Sequence, residues 1–224
     1  MPLNPIGRAI ASAFAVVLLL PGCRKADKGV AADTAAMMTP LAAEPSPGAP
    51  LDCTRASSDI EKLVCSDPKL SALDQKLGTV YKEAEAKQGS PAPAWLTAGQ
   101  RGWIKGRDDC GKSSNQRACV DSAYTLRIAE IQATSLLVPT KGPVAYTCPR
   151  ADGSHDEIQA MYADTDPASV VLERGDKSVI AFTTRPGSGA RYQGANITFR
   201  ERGGKAQVNW FGTELKCHLQ EPSS

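Results

Sequence analysis

Only two histidines, His155 and His218, occur in the 224 residues, and neither has a second ligand at metal-binding spacing. There is no Cys-x-x-Cys or His-x-x-x-His pair, so the local signature of a zinc site is missing. No nucleophile stands beside a base. Gly187-Ser188-Gly189 is not a nucleophile elbow, because Pro186 occupies the first glycine position of that motif and no strand-to-helix setting follows. With no phosphate loop either, the chain is expected not to be an enzyme and to carry no catalytic residue, cofactor or metal. Aromatic residues make up 5% of the chain and the formal net charge is +2, which gives little for base stacking and no basic footprint for nucleic acid. The early apolar run Ala9–Leu20 is about twelve residues, short of the roughly twenty that cross a bilayer and of the length of a signal-peptide core.

Cysteine, by contrast, is plentiful. Seven occur, at 23, 53, 65, 110, 119, 148 and 217. Cys23 stands apart at the end of the apolar run, and the remaining even set predicts three disulfides in an oxidising compartment. Residues 1–22 read as a signal peptide. Leu20-Pro21-Gly22-Cys23 resembles a bacterial lipobox, in which the cysteine becomes the lipidated first residue; the plainer alternative is a secretory signal with an incidental cysteine. Arg24 is not the Asp that commonly retains lipoproteins in the inner membrane. The expected location is therefore the cell envelope, lipid-anchored at the outer membrane and facing the periplasm. Residues 23–51, rich in Ala, Pro, Gly, Ser and Thr, cannot bury enough apolar surface to offset their chain entropy and read as a flexible tether.

Residues 52–138 carry helical periodicity. Ser58-Asp59-Ile60-Glu61 is a capping-box pattern opening a short helix that ends near Cys65. Asp67-Pro68 supplies an N-cap and a proline at the first helical position, and Leu70, Leu73, Leu77, Val80, Tyr81 and Ala84 follow at helical spacing. After a break at Gly89-Ser90-Pro91, Trp95, Leu96, Trp103 and Ile104 mark a third helix ending at Cys110-Gly111, and Ser114 starts a fourth. Asp74, Arg107, Asp108 and Asp109 read as a solvated face or a helix-end ion pair. The four cysteines of this region allow three pairings. Cys53–Cys65 and Cys110–Cys119 are the favoured ones.

From Pro143 to about residue 220 the pattern alternates instead. Seven strands are expected, Val144–Cys148, Glu157–Tyr162, Ser169–Glu173, Ser178–Thr183, Ala195–Arg200, Lys205–Phe211 and Glu214–Leu219, with glycine turns between several of them. Arg174-Gly175-Asp176 reads as one such turn rather than an adhesion tripeptide. The fold class is thus multi-domain α plus β, an N-terminal four-helix all-α domain (52–138) and a C-terminal small antiparallel β-barrel (143–220), each with disulfides. Pairing Cys148 in the first strand with Cys217 in the last closes nearly the whole barrel.

The stretch from Arg185 to Arg202 stands out within the barrel. Two glycines flank Ser188 and Pro186 stiffens the approach, so the segment reads as a preorganised tip, with a guanidinium fourteen residues later on the return strand. Gly187-Ser188-Gly189-Ala190-Arg191-Tyr192, followed by Phe199, Arg202-Gly203 and Ala206, resembles the signature of the MliC/PliC family of bacterial envelope inhibitors of c-type lysozyme. That resemblance implies that Gly187, Ser188, Gly189, Arg191, Tyr192 and Arg202 bind lysozyme, with Ser188 facing the general-acid Glu and Arg202 the Asp on which glycoside hydrolysis depends. It also implies the Cys148–Cys217 bond. Pro186 stands where the family pattern has Ser, and Arg202 where it usually has Lys. In the helical region, Cys53, the run Glu61–Asp67, Leu70, Leu73-Asp74, Tyr81, Gln100, Trp103, Arg107-Asp108, Cys110, Cys119, Tyr124 and Arg127 resemble the LprI-type domain. That family includes a lysozyme-inhibiting lipoprotein and many members with no assigned role. The expected partner is c-type lysozyme; the alternative is a non-inhibitory envelope lipoprotein acting through its helical domain. Residues 143–220 hold nine Lys/Arg and nine Asp/Glu, which argues against long-range steering toward a basic lysozyme.

Overall fold

The computed structural model describes residues 47–89, 92–184 and 190–220. Contacts divide the chain after Ala43, and all described residues lie in the second unit, which begins at Glu44. The signal peptide, Cys23 and most of the tether lie outside the described residues, as do Gly187, Ser188 and Gly189.

Local hydrogen bonds set the helix boundaries. A 3-10 turn, Cys53–Arg55, is capped by Asp52. Helix α1 spans Asp59–Ser66, where Ser58 Oγ accepts the Glu61 N–H and Glu61 reaches back to the Ser58 N–H, closing the reciprocal box. Asp67 ends α1 and opens α2, Pro68–Gln88. One of its oxygens accepts from Lys69 and Leu70 N–H while the other accepts from Arg117 Nε at 2.6 Å. Helix α3 spans Ala94–Asp108 and tightens into a 3-10 turn, Asp109–Lys112, that carries Cys110. Helix α4 spans Gln116–Thr134, one residue later than the sequence reading, because Asn115 rather than Ser114 accepts the Ala118 N–H. The apolar stripes meet around Ile60, Val64, Leu70, Tyr81, Tyr124 and Ile131.

The end of the segment read as tether is packed. Leu51 N–H donates to Asp74 Oδ2 at 2.7 Å. Gly48 lies so close to Tyr81 that a Cβ there would fall 1.9 Å from the ring. Pro47 to Leu51 thereby cover a cavity of about 130 Å³ lined also by Asp74, Gln100, Trp103 and Arg107.

Eight strands, not seven, form the second region: β1 Thr140–Pro149, β2 His155–Ala163, β3 Ser169–Arg174, β4 Lys177–Thr183, β5 Ala190–Gly194, β6 Ile197–Arg202, β7 Lys205–Trp210 and β8 Thr213–Leu219. The strand missed by the sequence reading is β5. It has five residues between a glycine-rich stretch and Gly194, too few to display a period of two, and the hairpin after it turns at Ala195-Asn196 with Asn196 at φ 57°. Each strand pairs antiparallel with the next, and β1 closes on β8 through Tyr146 opposite Leu219 and Thr147 opposite His218. The barrel interior is filled by Tyr146, Ile158, Leu172, Phe199, Val208 and Trp210. The disulfides join Cys53 to Cys65, Cys110 to Cys119 and Cys148 to Cys217. Among the described residues no helix is long and apolar enough to cross a membrane.

Candidate functional site

Strand direction alternates around the barrel, so the β4–β5 connection and the β6–β7 turn lie at the same end. The described residues on either side of 185–189 are joined to each other. Thr184 N–H donates to the Arg191 carbonyl at 3.2 Å, and Thr183 stands opposite Tyr192. Where the segment rejoins the sheet, Ala190 is opposite Glu201, Arg191 opposite Arg200, and Tyr192 opposite Phe199. Arg202 is thus one residue beyond the partner of Ala190. The register brings the emergence of the Ser188 segment and the guanidinium-bearing strand end side by side, although the two are separate in sequence.

Tyr192 and Arg191 point in opposite directions, as successive strand residues must. Tyr192 is buried, its ring 6.2 Å from Phe199 and 6.0 Å from Tyr162, and anchors β5 in the core. Tyr162 shares a hydroxyl contact of 3.1 Å with Tyr146, and burial, helped by that contact, raises its phenol above the ordinary range. Arg191 is exposed.

Arg202 is also exposed, at the edge of a tight turn. Gly203 and Gly204 both have positive φ, 59° and 74°, which is the primed hairpin geometry that matches strand twist. Glu201 accepts the Gly204 N–H at 3.1 Å, and the Gly204 carbonyl accepts from Leu219 N–H at 2.7 Å, so this turn is braced from two sides. A shallow depression of about 320 Å³ lined by Arg200, Arg202, Lys205 and Gln207 lies on the outer wall beside it. The sequence reading missed Glu201, which braces the turn beside Arg202; Arg200 and Lys205 line the neighbouring depression, outside the Ser188–Arg202 contact. The alternation Arg200-x-Arg202 around Gly203-Gly204 to Lys205 was the available signal, once the two glycines are taken as a two-residue turn.

In the helical region, the residues that stood out in sequence meet in the interior. Tyr124 Oη donates to Asp74 Oδ1 at 2.9 Å and accepts from Arg107 Nη1 at 3.1 Å. Arg107 forks onto Asp108 through Nε at 3.0 Å and Nη2 at 2.8 Å, a helix-end ion pair, and its guanidinium lies over the Trp103 ring. Arg127 Nε donates to Gln100 Oε1 at 3.0 Å. Asp74, Gln100, Arg107 and Arg127 are all buried, so of the carboxylates read as a solvated face or ion pair Asp74 is interior, Asp108 is half-exposed on Arg107, and Asp109, paired with Lys112, is on the surface. Among the described residues no group of three or more His, Cys, Asp or Glu is arranged to hold a metal ion.

Comparison with known proteins divides the chain in the same order. The family described as lysozyme inhibitor LprI matches residues 53–137, and the family described as membrane-bound lysozyme-inhibitor of c-type lysozyme matches residues 146–216. Lipoprotein LprI of Mycobacterium tuberculosis is 34% identical over 173 residues, 77% of this chain and 85% of that protein. Lipoprotein LprI of Mycobacterium bovis aligns with the same identity and coverage. No solved structure matches the chain.

Proposed function

Because this chain belongs to the LprI lipoprotein family, we propose that it is a lysozyme inhibitor of the bacterial envelope that acts on c-type lysozyme by filling the enzyme's cleft. The segment around Ser188 and the side chain of Arg202 enter between the two catalytic carboxylates. Inhibition is competitive, since an inserted segment and a saccharide cannot share the cleft. The protein does no chemistry itself: Ser188 offers a neutral donor to the protonated general acid, and Arg202 offers a fixed cation to the ionised Asp.

One observation carries this reading. The β5–β6 register sets Arg202 beside Ala190, next to the point where the Ser188 segment leaves the sheet, on a turn that Glu201 and Leu219 hold in place. A braced turn fixes the backbone at Arg202 before binding, so only its side chain has to be ordered in the cleft. In the helical region the residues that carry the family likeness point inward, into the Asp74–Tyr124–Arg107 and Gln100–Arg127 contacts. We therefore assign inhibition to the barrel. The helical region, with its two disulfides, serves as a rigid carrier between the tether and the barrel. A lipid on Cys23 anchors the chain at the outer membrane, facing the periplasm.

Hydrolysis of bacterial cell walls by a c-type lysozyme tests the proposal, with the oxidised mature protein set beside its Ser188→Ala and Arg202→Ala variants. Removing a charge-assisted contact of about 1.5–3 kcal/mol should raise the inhibition constant roughly tenfold to a hundredfold for Arg202→Ala, and severalfold for Ser188→Ala. A folded, disulfide-intact protein that leaves hydrolysis unaffected would sink the reading.

A further inference from the structure

The nine cations and nine carboxylates of residues 143–220 balance in number but not in position. On the outer wall of β5–β8, Arg191, Arg200, Gln207 and Lys216 stand directly opposite one another and form a row across four strands. A second row, one pleat nearer the braced turn, runs Arg202, Lys205, His218. All seven side chains are exposed. Directly opposed residues on one sheet face are about 5 Å apart and the two rows about 7 Å apart, so five permanent cations share a patch only a few side chains across.

Among the described residues none of these five cations is paired with a carboxylate. The contrast lies within the same barrel, where Arg150 and Arg174 both bind Asp156. The two acids of β6–β8 are committed elsewhere: Glu201 accepts the Gly204 N–H, and Glu214 contacts the Asn209 amide toward the opposite end of the wall. Arg191 against Arg200 and Arg202 against Lys205 are like-charge pairs at directly opposed positions, an arrangement that costs stability in the absence of an anion.

We infer that the outer face of β5–β8 is a docking surface for the phosphate headgroups of an anionic membrane. The complementarity is of charge and shape: an open, weakly concave wall of Arg200, Arg202, Lys205 and Gln207 has no apolar recess for an acyl chain or a ring but matches an array of phosphates. The inference rests on the lipid-anchored reading of Cys23, which brings a bilayer within reach. Twenty-three residues separate Cys23 from Pro47, where the described residues begin, so a lipid on Cys23 would present the basic face to headgroups at high local concentration. Docking by this face also shares Arg202 with the lysozyme cleft, so a molecule engaged on lysozyme has to lift its second row off the membrane.

The test uses the full mature chain with Cys23→Ser, which removes the lipid, in sedimentation with phosphatidylcholine vesicles with and without phosphatidylglycerol. Binding only to the anionic vesicles, reversed at high salt, is expected. Arg200→Gln with Lys216→Gln, neither in the Ser188–Arg202 contact, should weaken it about thirtyfold, from about fivefold per charge removed. Retained lysozyme inhibition by that variant shows that it folds. Equal sedimentation with neutral vesicles, or anionic binding that the double substitution leaves unchanged, overturns the inference. Capture by immobilised heparin without vesicle binding also overturns it, in favour of a soluble polyanion. If wild type fails to inhibit lysozyme yet docks on anionic vesicles, the inhibitor reading fails and the docking surface stands.

Discussion

Tyr124 donates to one charged group and accepts from another while fully buried, so its single hydroxyl neutralises two desolvation penalties at once. Tyr124→Phe leaves Asp74 Oδ1 and Arg107 Nη1 short of a partner in the interior, and the expected loss is about 2–3 kcal/mol in urea unfolding. A loss under half a kcal/mol would mean that water takes over the role of the hydroxyl. The same burial holds the Tyr124 phenol, and that of Tyr162 in the barrel, above the ordinary value near 10. The folded chain then keeps protons that the unfolded chain gives up. Stability from these groups is therefore complete below about pH 10 and is lost as pH rises beyond it. Urea midpoints should be level from pH 8 to about 10 and fall above, and midpoints still level at about pH 11 would contradict the assignment. At Arg202 the contrast is between charge and shape. If the carboxylate of lysozyme reads charge alone, Arg202→Lys keeps inhibition within about threefold, whereas dependence on the planar fork lowers it toward the alanine variant.

At the scale of elements, what was legible in the sequence was what local hydrogen bonds decide. Ser58 with Glu61 and Asp67 with Pro68 announce α1 and α2 because cap, box and first-turn proline lie within a few residues of one another. Strand β5 was not legible, since its five residues carry no pattern of their own and are fixed by β6 and by the Thr183–Tyr192 pairing. The same holds for Pro47 to Leu51, a proline-rich stretch fixed by a carboxylate twenty-three residues away. Of the site, Arg202 and Tyr192 were singled out in sequence, while Glu201 gained its role only when the β6–β7 turn set its carboxylate under the Gly204 N–H. That turn is itself testable. A Cβ on Gly203 would meet nothing within 4 Å, so Gly203→Ala isolates the backbone cost of φ 59°, about 1–2 kcal/mol. If the turn presents Arg202, inhibition by Gly203→Ala weakens while the fold survives. Unchanged inhibition together with the expected stability loss would show that Arg202 is not positioned by the turn.

At the scale of the whole molecule, net charge is a poor guide because the sheet register sorts it. Lys and Arg from four strands gather on one wall, while Arg150 and Arg174 are neutralised around Asp156. A basic lysozyme approaching the Ser188–Arg202 end meets a field that repels it at long range, even though the contact itself is attractive. Added salt should therefore speed dissociation without slowing association, the two rates responding to different parts of the field. Screening, with a Debye length falling from about 30 Å at 0.01 M to about 8 Å at 0.15 M, relieves the repulsion and raises the association rate or holds it level. It also weakens the Arg202–carboxylate contact and speeds dissociation. Stopped-flow association with a basic c-type lysozyme across that range separates the two. Arg200→Gln with Lys216→Gln should raise the low-salt association rate severalfold and leave dissociation nearly unchanged, because it removes far-field repulsion without touching the inserted residues. An association rate that falls steeply with salt, and falls further in the double variant, would mean instead that the basic wall steers the lysozyme in, and the wall would then belong to the inhibitory surface rather than to a membrane.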